Sequence, residues 1–238
     1  MIRISFNLAA LVVLLLVALP VWAAPGGVQG QMIAVKGKVS VVRGQASPVL
    51  LRKHDTVEAG DEILTDHKSS ATIRMPDGST VRIYPDSHVV LHDEAGGWKE
   101  FLHVLLGTVR VQIEKLSGRP NPKSITTPTA IIAVRGTIFS VAVEQTGDTQ
   151  VGVGEGLVSV ASLLQPQNEV LLKPGQSCWM RHGQERPTQP QMMNQPMPGL
   201  MGADGMGMGG WGDMGMGTGR STSGMGNKGG MGQTGPHR

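Results

Sequence analysis

The chain has 238 residues, of which 39% are hydrophobic, 16% charged and only 3% aromatic; 21 Lys+Arg against 18 Asp+Glu leave a formal charge of +3. A balance that near to neutral excludes a general nucleic-acid binder, which needs a dense basic face, and so few rings exclude a base-stacking platform. The single cysteine, Cys178, excludes an intrachain disulfide and a cysteine-rich metal cage.

Residues 1–23 read as a signal peptide. Arg3 supplies a positive start, residues 8–19 (LAALVVLLLVAL) form an uninterrupted apolar run, Pro20 breaks it, and Val21-Trp22-Ala23 offers small residues for cleavage. The run is short for a membrane span, which needs about 20 residues; an uncleaved anchor is the alternative. No cysteine follows the run, so a lipoprotein anchor is excluded. The mature product is expected to be periplasmic or secreted, with no stable membrane anchor after cleavage. In such an oxidising compartment a lone cysteine is either inert or a cross-linker. Val170, Leu171, Leu172 and Trp179 flank Cys178, which predicts a buried, inert thiol.

Residues 24–187 read as one all-β domain. Apolar residues alternate with polar ones in Ala71, Ile73 and Met75, in Val81 and Ile83, and in Val109, Val111 and Ile113. The same alternation runs through Phe139, Val141 and Val143, then Val158 and Val160. Period two places alternate side chains on one face of a half-buried strand. Turn chemistry separates the runs at Ala59-Gly60-Asp61, Pro76-Asp77-Gly78, Tyr84-Pro85-Asp86, Gly96-Gly97 and Lys173-Pro174-Gly175. Five short β-rich runs open on a glycine, at Gly37, Gly78, Gly107, Gly136 and Gly156. Such corners followed by alternation predict a β-roll or solenoid. The intervals of 41, 29, 29 and 20 residues are too irregular to fix it, and a β-sandwich is the alternative. Composition shifts near Pro187. From 199 to 238, 16 of 40 residues are Gly, and 10 of the 14 Met lie between 192 and 238. Residues 188–238 are therefore expected to form a disordered Met/Gly-rich tail, because little burial is available to offset ordering entropy.

Several ordered motifs resemble the FecR domain family. They are Gly60-Asp61-Glu62-Ile63-Leu64-Thr65, then Ser70-Ala71-Thr72-Ile73-Arg74-Met75-Pro76-Asp77-Gly78-Ser79, Tyr84-Pro85-Asp86-Ser87 and Leu106-Gly107-Thr108-Val109. The second half adds Thr127-Pro128-Thr129-Ala130, Arg135-Gly136-Thr137-Ile138-Phe139-Ser140-Val141, Glu155-Gly156-Leu157-Val158-Ser159-Val160 and Pro174-Gly175-Gln176. A single turn of this kind is common; their order over roughly residues 30–180 carries the resemblance. It implies an all-β periplasmic module that relays a signal through protein contacts and is not an enzyme. The family's namesake joins this module to a membrane span and a cytoplasmic anti-sigma segment. This chain shows no such segment ahead of its export signal, so direct sigma-factor control is not expected of it.

Catalytic signatures are absent from the sequence: there is no HExxH, no GxSxG and no phosphate loop. Asp61 and Glu62, like Asp93 and Glu94, are neighbours that point to opposite faces of a strand, and they read as solvated turn charges. Arg135 reads as a corner-fixing side chain, with ligand binding as the alternative. The histidines are His54, His67, His88, His92, His103, His182 and His237. His88 and His92 could share an ion on a helix. On a strand four steps span about 13 Å, which is too far, so the histidines read as scattered surface residues. One candidate metal site remains, in the tail. Met206, Met208, Met214 and Met216 flank Trp211, and their soft thioethers suit Cu(I) or Ag(I). Low-complexity disorder is the competing reading of the same residues. The expected function is a non-catalytic exported module with an envelope protein partner, and the alternative is soft-metal binding through the tail.

Overall fold

Period-two alternation produces seventeen strands in a computed structural model that describes residues 28–92, 100–115, 118–119, 121–195, 197–198 and 200; no helix occurs among the described residues. In chain order they are β1 (Val28–Lys36), β2 (Val39–Arg43), β3 (Val49–Leu50), β4 (Thr56–Glu58), β5 (Asp61–Thr65) and β6 (Ser70–Arg74). Next come β7 (Thr80–Ile83), β8 (Ser87–Leu91), β9 (Glu100–Gln112), β10 (Pro122–Thr126), β11 (Ala130–Arg135) and β12 (Ile138–Val143). The last are β13 (Thr149–Glu155), β14 (Val158–Ser162), β15 (Glu169–Leu172), β16 (Gln176–Met180) and β17 (Gln191–Met192). The export segment 1–23 lies outside the described residues. No helix among the described residues is long and apolar enough to cross a membrane.

The pairings resolve into two ladders. Ladder A runs β4-β1-β6-β7-β9-β12-β13-β16-β17. Ladder B runs β3-β2-β5-β8-β9-β10-β11-β14-β15. Among the described strands every pairing is antiparallel except β9 with β10, so they form an open mixed sheet joined through β9. Apart from the short end strands β3 and β4, the chain advances along both ladders in sequence order, alternating between them. Inward side chains of both ladders form one apolar cluster, in which Met32, Ile63, Ile73, Ile83, Phe101 and Phe139 are fully buried. The rows expected to face inward do so: Ala71, Ile73 and Met75, Val109, Val111 and Ile113, Phe139, Val141 and Val143, Val158 and Val160 are all in this cluster.

Strand β9 belongs to both ladders. Its first half pairs with β8 and β10, its second half with β7 and β12. The passage falls at Gly107, with φ of 88°. A Cβ there would lie 2.2 Å from Ser87 Oγ and 2.5 Å from Ser87 Cα. That close approach lets the Thr108 N–H donate to Ser87 Oγ at 3.0 Å. The same device recurs at Gly37, where the Lys38 N–H donates to Ser69 Oγ at 2.9 Å. All five run-opening glycines have φ between 67° and 88°, a conformation that L-residues adopt only at a cost.

Described structure continues past Pro187, where the sequence places the start of a tail. Strand β17 pairs with β16, the Met193 N–H donates to the Gly175 carbonyl at 2.9 Å, and Ser140 Oγ donates to the Pro198 carbonyl at 2.9 Å. Gly152 makes room for this segment: a Cβ there would stand 2.7 Å from the Met197 sulfur and 2.8 Å from that of Met193.

Gly107→Ala is expected to destabilise the protein well beyond Gly60→Ala. Both glycines have nearly the same φ, 88° and 85°, but a Cβ at Gly60 meets nothing within 4 Å. Urea melts should show a loss of roughly 1–2 kcal/mol for the strained conformation alone at position 60, and a further loss of about 1–3 kcal/mol from overpacking at position 107.

Candidate functional site

The outer face of ladder B gathers groups able to hold a ligand, and a backbone irregularity is the reason. In the β9–β10 ladder Ser124 stands opposite Glu100 and Ile125 opposite Leu102, so Phe101 is an extra residue. Phe101 and Leu102 are both fully buried. Residues three apart on a regular strand point to opposite faces; this β-bulge turns Glu100 to the same face as His103. His92, just past β8, is set beside them by its N–H, which donates to the Phe101 carbonyl at 3.1 Å.

The result is a half-buried His92–Glu100–His103 cluster whose ligating atoms all lie within 4.8 Å of one another. The two imidazole centroids are 6.0 Å apart with planes tilted by 48°. On β10 Thr126, opposite His103, directs its hydroxyl to the Glu100 carboxylate. Burial, aided by the neighbouring His92 and His88, holds the His103 imidazole below the ordinary histidine value despite the opposing pull of Glu100. His88 is engaged elsewhere, with its Nε2 at 3.2 Å from Glu62 Oε2. Thus His88 and His92 have different partners, while His103 joins His92 from the adjacent strand.

Of the other residues singled out by sequence, Asp61 differs from expectation. It is buried rather than solvated: Arg43, paired opposite it on β2, donates to its carboxylate from Nε at 2.9 Å and from Nη2 at 3.1 Å, and the Glu58 N–H donates to it at 3.0 Å. Glu62 points the other way, towards His88, as period two requires. Arg135 is exposed at the end of β11, opposite Pro122; the corner beside it is closed by Gly136, against whose Cα the Lys115 stem packs. Asp93, Glu94 and the thioether set Met206, Met208, Met214 and Met216 lie outside the described residues.

A buried cation went unnoticed in the sequence. Lys123 is 1% exposed, its Nζ is 2.8 Å from Asp77 Oδ2 and 5.0 Å from the centre of the Phe101 ring. Asp77 also accepts from the Ser79 N–H at 2.9 Å and from Asn121 Nδ2 at 2.8 Å. Burial alone would raise the Asp77 carboxyl, but the hydrogen bonds from Lys123, Ser79 and Asn121 outweigh it and hold the group below the usual carboxylate range. The turn of β6 and β7 in ladder A is thereby tied to β10 in ladder B. Nearby, the hydroxyls of Thr127, Thr129 and Thr149 form a buried chain with contacts of 2.9 Å, which joins the β10–β11 turn to β13. On β16 Cys178 is buried opposite Val151, and burial pushes its thiol up to about 12.

Residues 61–159 match the family model described as FecR protein. Over those residues the chain is similar to FecR proteins. No curated protein matches it. Two crystal structures of an anti-sigma factor candidate from Parabacteroides distasonis ATCC 8503, at 1.65 and 2.50 Å resolution, are similar to it, at 20% and 19% identity and a TM-score of 0.46 each. The similarity covers 55% of this chain and spans 59% of the length of those solved chains. The matched residues include Asp61, the Asp77–Lys123 pair and the His92–Glu100–His103 cluster.

Asp77→Ala is expected to cost about 3–5 kcal/mol in chemical denaturation, because it breaks the ion pair of a buried ammonium; Asp77→Ala with Lys123→Met should recover most of that. The depressed Asp77 carboxyl stabilises the fold fully above the ordinary carboxylate value of about 4 and loses that contribution as pH falls through its own lower value. Acid titration of stability should therefore flatten in the double variant. The Cys178 thiol should resist an aromatic disulfide reagent at pH 8 until the chain is unfolded; rapid native labelling would contradict its burial.

Proposed function

We propose that the protein is an exported, non-catalytic FecR-domain protein that acts by protein–protein contact in cell-envelope signalling or assembly. The observation that carries this reading is the free end of ladder B. Strand β3 pairs only with β2 among the described residues, and its Val49 and Leu50 are 62% and 59% exposed. A concavity of about 410 Å³ lies beside it, lined by Val41, Leu51, the charged Arg43 and Asp55, and the polar His54 and Thr56. Natural sheet edges are commonly blunted with charge or proline, because unpaired N–H and C=O groups recruit strands. β3 is itself short and follows Pro48, yet its two exposed aliphatic side chains beside the groove stay open to a partner. An added strand would receive backbone hydrogen bonds from β3 and seat a side chain in the groove.

At its other end ladder B closes with β15, which exposes Leu171. The FecR domain itself lies between these ends, consistent with a scaffold that presents edges. The signal peptide reading of residues 1–23 places this contact in the periplasm or outside the cell.

A photo-crosslinking residue at position 50 should yield a discrete adduct in intact cells, while the same residue at Lys68, exposed in the turn before β6, should not. Leu50→Lys should abolish the functional output of the protein without changing its melting temperature by more than a few degrees. Equal adducts at both positions, or a Leu50→Lys variant with full output, would remove the β3 edge from the mechanism.

A further inference from the structure

We propose that His92, Glu100 and His103 bind one divalent transition-metal ion of the Zn(II) class on the outer face of ladder B. The site is independent of the docking edge at β3. Two imidazoles and a carboxylate are a donor set of nitrogen and oxygen ligands, which suits Zn(II), Co(II), Ni(II) and Cu(II) rather than the hard Mg(II) or the soft Cu(I).

Geometry already supplies most of the site. The ligands come from the end of β8 and the start of β9, held side by side by the bond between the His92 N–H and the Phe101 carbonyl. The Phe101 bulge is the feature that brings Glu100 and His103 to one face. Ligating atoms within 4.8 Å of one another compare with a separation of roughly 3.3 Å around a tetrahedral ion whose bonds are about 2.0–2.1 Å. All three side chains are half-buried rather than packed, so small χ rotations close that difference. Glu100 has its own orienting partner, the Thr126 hydroxyl, in the way that metal-bound carboxylates are held by a neighbouring donor. Three protein ligands leave a coordination position for water or for a donor from a binding partner. His88 stays outside the set through its bond to Glu62.

The test is calorimetric titration of Zn(II) into the full chain after chelator treatment, with Co(II) visible absorption as a second readout. One equivalent should bind, and the Co(II) bands should report nitrogen and oxygen ligation. His92→Ala and His103→Ala should each weaken binding by about 100-fold or more, while Glu100→Gln and Thr126→Val should each weaken it by at least about 10-fold. His67→Ala, remote from the cluster, should leave it unchanged, as should the combined substitution of Met206, Met208, Met214 and Met216 by Leu. Far-UV spectra of the metal-free variants should match the parent; if a histidine variant fails that check, the near-isosteric Glu100→Gln decides alone. No saturable binding, or binding that survives Glu100→Gln and both histidine substitutions undiminished, overturns the proposal. So does binding lost with the methionines.

Discussion

Everything in this fold hangs on one strand serving two ladders. β9 must present its first half to β8 and β10 and its second half to β7 and β12. In a sheet a slip of one residue moves every side chain to the other face. An error in β9 would therefore invert both apolar layers at once. Gly107 takes up the change of direction, and Ser87 fills the space a side chain would need. Because the corner separates the two halves, ladder B can carry a bulge at Phe101 without disturbing the register of Val109 and Val111 against Val141 and Phe139 in ladder A.

The motifs that resemble those of FecR proteins are mostly the chemistry of passing between ladders. Asp61 clamps Arg43 and the Glu58 amide where β4 turns into β5. Asp77 receives Ser79, Asn121 and Lys123. The Tyr84 carbonyl accepts from Thr65, whose oxygen in turn accepts from the Ser87 N–H. Thr127 and Thr129 close the turn between β10 and β11 around Thr149. Each satisfies buried polar atoms that would otherwise cost free energy. A likeness built from such positions speaks for how the chain closes. Strand faces and edges, by contrast, can change without disturbing a corner.

This separation explains what could be read in advance. The inward rows were legible because period two depends only on local alternation, and the corners because glycine and proline restrict the backbone locally. Lys123 was not: in Pro122-Lys123-Ser124 a lysine reads as solvated, and only the parallel docking of β10 on β9 places it against Phe101 and Asp77. Asp61 was misread for the same reason, since its guanidinium partner lies 18 residues away. The histidine cluster was harder still. Spacing along one strand correctly separates His88 from His92, but no spacing rule brings His92 to His103 across a neighbouring strand, and none predicts that Glu100 will turn with it.

Where that cluster sits has its own logic. The first half of β9 breaks register twice, skipping Leu105 against β8 and Phe101 against β10. Bulges interrupt the regular ladder and leave fewer continuous backbone bonds to resist slippage. This stretch is therefore the least firmly paired part of the strand on which both ladders depend. Lys123 secures it from the inside, through Phe101 and Asp77. An ion shared by His92, Glu100 and His103 would secure it from the outside, joining the end of β8 to the beginning of β9 across the same bulge. The irregularity that loosens the ladder is also what assembles the ligands, so the two features belong to a single local solution.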